Sequence, residues 1–245
     1  MVEVLNDLLG YDGLKIIQRP DMFNFSLDST LLADFANPLT KTKKILDLGT
    51  GNAPIPLFLS LKTKAKIIGV EIQKDVFQIA QKNITINNLQ DQIEIINDNI
   101  NGIHKKYENS EFDLITCNPP FFKYTETSNV NKNDYKTIAR HEVLITLEQI
   151  IIESKRLLKT GSNLCMVHRT ERIQEIINLL TKHNFAIKRL RFVYPKLGEN
   201  SNMVLIEASN NGNTGLKLLE PLYVHTEEGY TDEIKRIFNY GKEGT

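Results

Sequence analysis

A short apolar strand followed at once by a glycine turn and a helix is the feature that most restricts the fold of this chain. Lys44-Ile45-Leu46-Asp47-Leu48 reads as a buried strand, Gly49-Thr50-Gly51-Asn52-Ala53 as a turn, and Pro54 suits a first helical turn. Such a corner lets a nucleotide approach the backbone at a helix N-terminus. The spacing Asp-x-Gly-x-Gly-x-Ala differs from Gly-x-Gly-x-x-Gly, and Asp47 suits a ligand with a positive amino group better than a pyrophosphate.

Apolar runs and segments of helical periodicity alternate along the chain, which favours an α/β fold. The predicted strands are 44–48, 66–71, 93–97, 112–117 and 163–168, followed by an antiparallel pair at 185–193 and 202–208. The predicted helices are 29–35, 74–88, 142–158 and 169–183. The flanking predictions are a short helix or arm at 1–9, a hairpin of 14–17 with 22–25, a linker at 210–215, a strand at 222–225 and a helix at 232–240.

Acidic residues stand at the ends of the second and third predicted strands. Glu71 ends the second strand, where a carboxylate can accept hydrogen bonds from both hydroxyls of a ribose. Asp98 follows the third strand and is placed to meet the amino group of an adenine, although Asp98 alone fits a solvated strand end at least as well. Together with Asp47 and the glycine turn, these acids predict a nucleoside site.

The fourth predicted strand runs directly into Asn118-Pro119-Pro120-Phe121. Proline has no N–H and restrains the preceding residue, so this turn is stiff and its carbonyls are free to accept. The side-chain oxygen of Asn118 and the carbonyl of Pro119 can hold both hydrogens of a planar NH2 group, while Phe121 offers a ring face. The alternative is a proline-rich turn with a core aromatic residue.

These motifs resemble those of the class I S-adenosylmethionine-dependent methyltransferases, over about residues 1–208. The turn Asn118-Pro119-Pro120-Phe121 resembles that of the branch that methylates adenine N6, guanine N2 and glutamine amides. Within this branch, Gln18 to Ala33 and Ala139-Arg140-His141-Glu142 resemble the bacterial valine-tRNA adenine-N6 methyltransferases, which modify the adenine just 3′ of the anticodon. The chain departs from the pattern at Phe121, where Tyr is frequent, and at Ala53, where many relatives have glycine.

The resemblance implies a Rossmann-like class I methyltransferase fold, with a seven-stranded mixed sheet, helices on both faces and small N- and C-terminal extensions. The implied domains are an N-terminal arm, hairpin and helix packing on the cofactor site (1–40), a methyltransferase core (41–209) and a C-terminal extension (210–245). The implied activity is N6-methylation of an adenine in tRNA, in the anticodon loop of valine tRNA.

The resemblance also implies a cofactor and a set of site residues. The cofactor is S-adenosylmethionine, and its expected binding residues are Asp28, Asp47, Gly49, Gly51, Asn52, Glu71, Asp98 and Asn118. The expected catalytic residues are Asn118, Pro119, Pro120 and Phe121, and the expected substrate-binding residues are Phe121, Phe122, Lys123 and Tyr124. A helix N-cap is the alternative role for Asp28.

Composition agrees with a nucleic-acid substrate. The net charge is zero, yet residues 121–200 hold 14 Lys and Arg against 8 Asp and Glu, which suits a polyanion or reflects ordinary surface scatter. Cys117 and Cys165 read as buried thiols, and their spacing indicates neither a disulfide framework nor a metal site. The sequence shows no membrane span and no signal peptide, so we expect a cytoplasmic monomer or weak homodimer.

Several competing functions share part of this pattern. A glutamine methyltransferase usually has a helical domain before the cofactor motif, whereas only 46 residues precede Asp47. An NAD-dependent enzyme is opposed by the missing Gly-x-Gly-x-x-Gly. A non-catalytic RNA-binding module on an inactive methyltransferase scaffold is opposed by the intact motifs. Methylation of guanine N2 in rRNA or of adenine in DNA stays open.

Overall fold

The predicted alternation of strands and helices is present in the structure, a computed structural model that describes residues 2–8, 13–22, 26–122, 142 and 144–238. The strands are β1 Val4–Asp7, β2 Lys15–Gln18, β3 Lys44–Leu48, β4 Lys66–Glu71, β5 Ile93–Asn97, β6 Phe112–Cys117, β7 Leu158–Arg169, β8 Phe185–Lys196, β9 Met203–Asn210, β10 Lys217–Leu218, β11 Leu222–Thr226 and β12 Gly229–Tyr230. The helices are α1 Leu27–Ala36, α2 Pro54–Ser60, α3 Lys74–Ile86, α4 Leu147–Leu157, α5 Ile173–Lys182 and α6 Asp232–Phe238. Short 3₁₀ turns lie at Ile103–Lys106 and Thr170–Arg172.

The main sheet has ten strands, with the order β12-β11-β8-β9-β7-β6-β3-β4-β5 and with β10 also paired to β8. Strands β5, β4, β3, β6 and β7 are parallel, and β9 runs antiparallel to its neighbours β7 and β8. The predicted mixed sheet is confirmed. It exceeds seven strands because the C-terminal residues add β10, β11 and β12 beyond β8.

Helices cover both faces of the sheet, as predicted. Alternate residues of the strands enter two separate cores, so that Ile45 packs with α1, α2 and α6, while Leu46 packs with α4 and α5. A strand that is buried on both faces is apolar at nearly every position, which explains the continuous apolar runs of the sequence. Cys117 and Cys165 lie in these cores as free thiols, as predicted.

The parallel strands end at one edge of the sheet, and the polar motifs follow at this edge. Leu48 at the end of β3 pairs with Val70 of β4 and with Cys117 of β6. The glycine turn, Glu71 and Asn118 are therefore neighbours in space although they are far apart in sequence. Ligands of open α/β sheets bind at this carboxyl edge.

The N-terminal residues form a strand where a short helix or arm is predicted. Val4–Asp7 is a strand rather than a helix, and it pairs antiparallel with Lys15–Gln18. Residues 23–25, most of the predicted partner strand, lie outside the described residues. β2 is held by distant residues: Asn83 of α3 and Asn87, the C-cap of that helix, hydrogen-bond the backbone of Ile17 and Lys15.

Two predicted boundaries between residues 142 and 168 are also wrong. The helix begins at Leu147 rather than at 142, because Thr146 and Gln149 form a capping box. Its C-terminus leads directly into β7 at Leu158, five residues before the predicted start of that strand. The helix predicted from Pro54 begins where expected, with proline in its first turn.

Candidate active site

A cavity of about 540 Å³ opens at the carboxyl edge of the sheet, a volume typical of small-molecule sites. Its wall is formed by the start of α1, the glycine turn, the ends of β4 and β6 with the residues that follow them, and Arg169 at the end of β7. The predicted site residues that line it are Asp28, Gly49, Gly51, Asn52, Glu71, Asn118, Pro119, Pro120, Phe121 and Phe122. Lys123 and Tyr124 lie outside the described residues.

The glycine turn bends through left-handed backbone conformations. Gly49 has φ 71° and Gly51 has φ 58°, a region in which glycine is strongly favoured. Nothing lies within 4 Å of the position that a Cβ of Gly51 would occupy, so the backbone there faces open space. Ala53 also adopts a left-handed conformation, with φ 69°, immediately before α2. Alanine therefore occupies a left-handed position at which glycine is favoured.

Glu71 is held by the backbone of two neighbouring segments. Its Oε2 accepts a hydrogen bond from Gly51 N–H at 3.0 Å, and its Oε1 accepts one from Gln73 N–H at 2.8 Å. Burial raises the pKa of Glu71, and these backbone donors oppose the rise. Each oxygen keeps a lone pair, so a carboxylate fixed in this way can accept hydrogen bonds from two hydroxyls.

Asp47 and Asp98 do not line the cavity. Asp47 is fully buried below the glycine turn; its Oδ1 accepts from Thr116 Oγ1 at 2.6 Å, and its Oδ2 has no hydrogen-bond partner among the described residues. Burial raises the pKa of Asp47 to about 7. Asp98 forms an ion pair with Lys106, which lowers the pKa of Asp98, while the neighbouring Asn99 lines the cavity instead.

The amide of Asn118 is oriented by a residue that the sequence motifs did not identify. Asn118 Nδ2 donates to Ser29 Oγ at 3.3 Å, and Ser29 is buried in the first turn of α1. With Nδ2 engaged in this way, Oδ1 is the end of the amide that can accept a hydrogen bond from a ligand. The site therefore joins two elements that are 89 residues apart.

Phe121 is more enclosed than its predicted stacking role requires. Only 9% of Phe121 is exposed, and its ring contacts the His168 ring at 5.4 Å and the Arg169 guanidinium at 5.1 Å. Arg172 donates to the Phe121 carbonyl at 3.2 Å. Phe122 and Leu144, which are 42% and 43% exposed, form the apolar mouth of the cavity.

His168, which belongs to none of the sequence motifs, packs against Phe121 of the Asn118 turn. Burial, followed by the charge of Arg172, lowers the pKa of His168 to about 3, so its imidazole is neutral. Its Nδ1 accepts from Arg169 N–H at 2.8 Å. Ser29, His168 and Arg169 could not be found from local motifs, because only the folded sheet brings α1 and the end of β7 to Asn118.

The cavity wall fits S-adenosylmethionine. Among the described residues, three have a buried polar side-chain atom without a hydrogen-bond partner and also line the cavity: Ser26 (Oγ), Thr50 (Oγ1) and Gln73 (Oε1). The backbone at Gly51 is open to close approach by a ligand, and the carboxylate of Glu71 is an acceptor suited to ribose hydroxyls. Buried polar groups of proteins are normally satisfied, so these atoms indicate a polar ligand.

The described part of the chain contains neither a candidate metal site nor a helix suited to cross a membrane. There, no group of three or more His, Cys, Asp or Glu side chains is arranged to hold a metal ion. None of the helices in the described ranges combines the length and the apolar content needed to cross a membrane.

Comparison with known proteins places these features in a family. The family model described as methyltransferase small domain matches residues 14–192. A tRNA1(Val) (adenine(37)-N6)-methyltransferase of Porphyromonas gingivalis strain W83 is 32% identical over 75% of this chain and 73% of its own length. The Tolumonas auensis protein of the same name is 28% identical over 73% of each chain.

Solved structures show the same fold. A predicted O-methyltransferase, protein Atu636 from Agrobacterium tumefaciens, has a TM-score of 0.70 at 18% identity, covering 87% of this chain and 96% of that one. M. capricolum TrmK in complex with S-adenosyl-homocysteine has a TM-score of 0.53 at 22% identity, covering 80% of this chain and 72% of that one. The predicted class I methyltransferase fold is confirmed.

Proposed function

The chain belongs to the methyltransferase small domain family and, within it, to the tRNA1(Val) (adenine(37)-N6)-methyltransferases, and we propose that it methylates N6 of adenine 37 in valine tRNA. It is an enzyme that uses S-adenosylmethionine. The observation that carries the proposal is the turn at Asn118, whose amide is oriented by Ser29 with its acceptor oxygen available to a ligand. A cytoplasmic location and a monomeric or weakly dimeric state remain predictions.

The residues that would hold the cofactor lie on the β3 and β4 side of the cavity. Glu71 would accept hydrogen bonds from the ribose hydroxyls, and the backbone from Gly49 to Gly51 would allow close approach of the ligand. Ser26 and Gln73 would supply polar atoms that have no hydrogen-bond partner among the described residues. When bound, S-adenosylmethionine supplies a methyl group on a positively charged sulfur, so no covalent enzyme intermediate is required.

Asn118 and Pro119 would hold the acceptor. An exocyclic amine is a poor nucleophile because its lone pair is delocalised into the ring. Acceptance of its two hydrogens by Asn118 Oδ1 and the Pro119 carbonyl favours the positive charge that develops on the nitrogen and fixes its direction. Once methylated, the nitrogen loses a proton readily, so the two acceptors need only position it. The prolines keep the turn stiff.

The mouth of the cavity suits an adenine that has left its stack. A base in a folded RNA must be extruded before a methyl group can reach it, and anticodon loops present such bases. Phe122 and Leu144 offer exposed apolar surface at this position. Stacking of a base on an aromatic ring contributes about 1–3 kcal/mol. The enclosed Phe121 would support the turn while Phe122 contacts the base.

Nucleoside mass spectrometry of tRNA incubated with the protein and S-adenosylmethionine tests the proposal. We expect N6-methyladenosine, and we expect Asn118→Ala to lower kcat by about 100-fold or more. The affinity of Asn118→Ala for S-adenosylhomocysteine, measured by calorimetry, should change by less than about twofold, because Glu71 and the glycine turn are intact. N2-methylguanosine as the product, or label only in protein glutamine, would contradict the assignment. Equal losses of cofactor binding and activity would make the turn structural.

A further inference from the structure

The cavity has two halves that differ in the strands that form them. The cofactor residues follow β3 and β4, whereas Asn118 follows β6 and Arg169 ends β7, the next strand beyond β6. In the sheet order β4-β3-β6-β7, Arg169 therefore lies on the far side of Asn118 from Glu71. A side chain in this position faces the acceptor rather than the ribose of the cofactor.

Arg169 is the one cationic side chain among the described residues that line the cavity. Its guanidinium lies 5.1 Å from the centre of the Phe121 ring and forms no ion pair with the described residues. The ring restrains the guanidinium without neutralising it. A restrained planar cation at a cavity wall is suited to bidentate binding of an oxyanion.

The next arginine along the chain shows the contrast. Arg172 Nη1 donates to Glu142 at 2.6 Å and its Nη2 pairs with Glu175 at 3.0 Å, while Nη1 also donates to the Phe121 carbonyl. The hydrogen-bonding capacity of Arg172 is thus used within the fold. Arg169 has no such carboxylate partner among the described residues, and of the described residues that line the cavity it is the cation available to a ligand.

Asp28, which also lines the cavity, interacts electrostatically with Arg169. Burial raises the pKa of Asp28, and the positive charge of Arg169 opposes this rise, so the two groups interact through space. They do not form an ion pair. Asp28 therefore limits the net positive charge at the wall without occupying the guanidinium, which suits a site that takes up a single anionic group.

We propose that Arg169 is a substrate-binding residue that holds a phosphodiester oxygen next to the target adenosine. The inference rests on the proposed RNA substrate and names one of its contacts. With the amine at Asn118 and the base at Phe122, the sugar and its phosphate extend out of the mouth, beside the end of β7. Arg169 thereby adds a charged contact to the apolar contacts of the base.

The test is binding of a fluorescent stem-loop RNA with the anticodon-arm sequence of valine tRNA, in the presence of S-adenosylhomocysteine. We expect Arg169→Ala to weaken RNA binding by roughly tenfold or more and Arg169→Lys to weaken it less. The slope of log affinity against log salt should fall by about 0.7 to 0.9, the value for one lost phosphate contact. Arg156→Ala, which removes an arginine at the opposite edge of the sheet, should stay within about twofold.

Single neutral methylphosphonate linkages on either side of the target adenosine then locate the contact. At one of these positions, we expect the neutral linkage to weaken RNA binding by wild type about as much as the Arg169→Ala substitution weakens binding of the unmodified RNA. The same linkage should not weaken RNA binding by Arg169→Ala any further. An unchanged salt slope, or equal effects of both linkages in wild type and variant, overturns the proposal. So does a selective loss of S-adenosylhomocysteine affinity in Arg169→Ala, which would assign Arg169 to the cofactor. Because binding does not require turnover, failure of the proposed methylation would be seen separately, as absence of methylated product with wild type.

Discussion

At the scale of single residues, the burial of Asp47 makes the stability of the folded chain depend on pH. It is fully buried, and one of its oxygens has no hydrogen-bond partner among the described residues. Burial raises the pKa of Asp47 from 3.8 to about 7, so between these values the folded chain holds a proton that the unfolded chain has lost. The stability that depends on this proton is full below about pH 4 and is lost as the pH rises toward 7.

The Asp47→Asn variant should lack this pH dependence. Its free energy of unfolding, compared with that of wild type, should improve by roughly 2 kcal/mol between pH 5 and pH 7. Urea denaturation at four pH values across this window measures the difference, and the titrating groups that do not interact with Asp47 cancel in the comparison. A difference that stays constant with pH would mean that Asp47 ionises normally in the folded chain.

Ser29 belongs to the same scale, because it positions Asn118 through one hydrogen bond. Ser29→Ala should lower kcat by about fivefold, the effect of one hydrogen bond of about 1 kcal/mol, since the Asn118 amide can then rotate. Ser29→Thr keeps the hydroxyl and should retain more activity. Steady-state kinetics together with calorimetry of S-adenosylhomocysteine distinguish this role from cofactor binding. An equal loss of cofactor affinity in Ser29→Ala would contradict it.

At the scale of elements, the N-terminal hairpin depends on helix α3. Asn83 is fully buried; its Oδ1 accepts from Ile17 N–H at 2.6 Å, and its Nδ2 donates to the carbonyls of Ile17 and Asn52 at 3.2 and 2.9 Å. The same side chain thus joins β2 to Asn52 in the glycine turn. The hairpin and the cofactor half of the cavity share one polar anchor.

Replacement of this anchor should loosen both parts. Asn83→Ala leaves several backbone groups without partners, and we expect a loss of at least about 2 kcal/mol in the free energy of unfolding. Hydrogen exchange of the Ile17 amide should accelerate. Gln81→Ala, an exposed position on the same helix, should stay within about 0.5 kcal/mol. Unchanged exchange at Ile17 in Asn83→Ala would show that β2 is held by other contacts.

Strands and helices that are determined by their own sequence pattern could be predicted, whereas those that depend on contacts with residues far along the chain could not. β3, β4, β5 and β6 match their predicted bounds because each is a mostly apolar run that ends at, or directly before, a polar residue or a glycine. The pairing of β1 with β2 has no local signal, because β2 is held by Asn83 and Asn87, about 70 residues away. In the site, Glu71 ends a predicted strand and Asn118 directly follows one, so both could be predicted. Ser29 and Arg169 belong to no sequence motif that indicates their roles.

At the scale of the whole molecule, the C-terminal residues are part of the same core as the N-terminal helix. β11 extends the sheet next to β8, and Ile234 of α6 is fully buried with Leu31 and Leu32 of α1. α1 also carries Ser29. The division of the chain at residue 209 into a core and an extension therefore remains a proposal about sequence organisation, while packing joins the two.

Removal of a buried side chain from α6 should lower the stability of the whole fold. Ile234→Ala removes a fully buried side chain and should cost about 2–5 kcal/mol. Thermal unfolding followed by circular dichroism should show one cooperative transition at a lower temperature. Lys235→Ala, at the exposed neighbouring position, is the matched control and should change little. Separate melting of α6, with the main transition unchanged, would contradict a single core.

The central claim is that one cavity joins the cofactor at Glu71 to an adenine amine at Asn118. Methyl-labelled S-adenosylmethionine and two transcripts of valine tRNA, one with adenine 37 and one with guanine at this position, test it most directly. We predict about one labelled methyl group per adenine-37 transcript, recovered as N6-methyladenosine, and none in the guanine-37 transcript. Equal labelling of both transcripts, or recovery of the label in another nucleoside, would contradict the account.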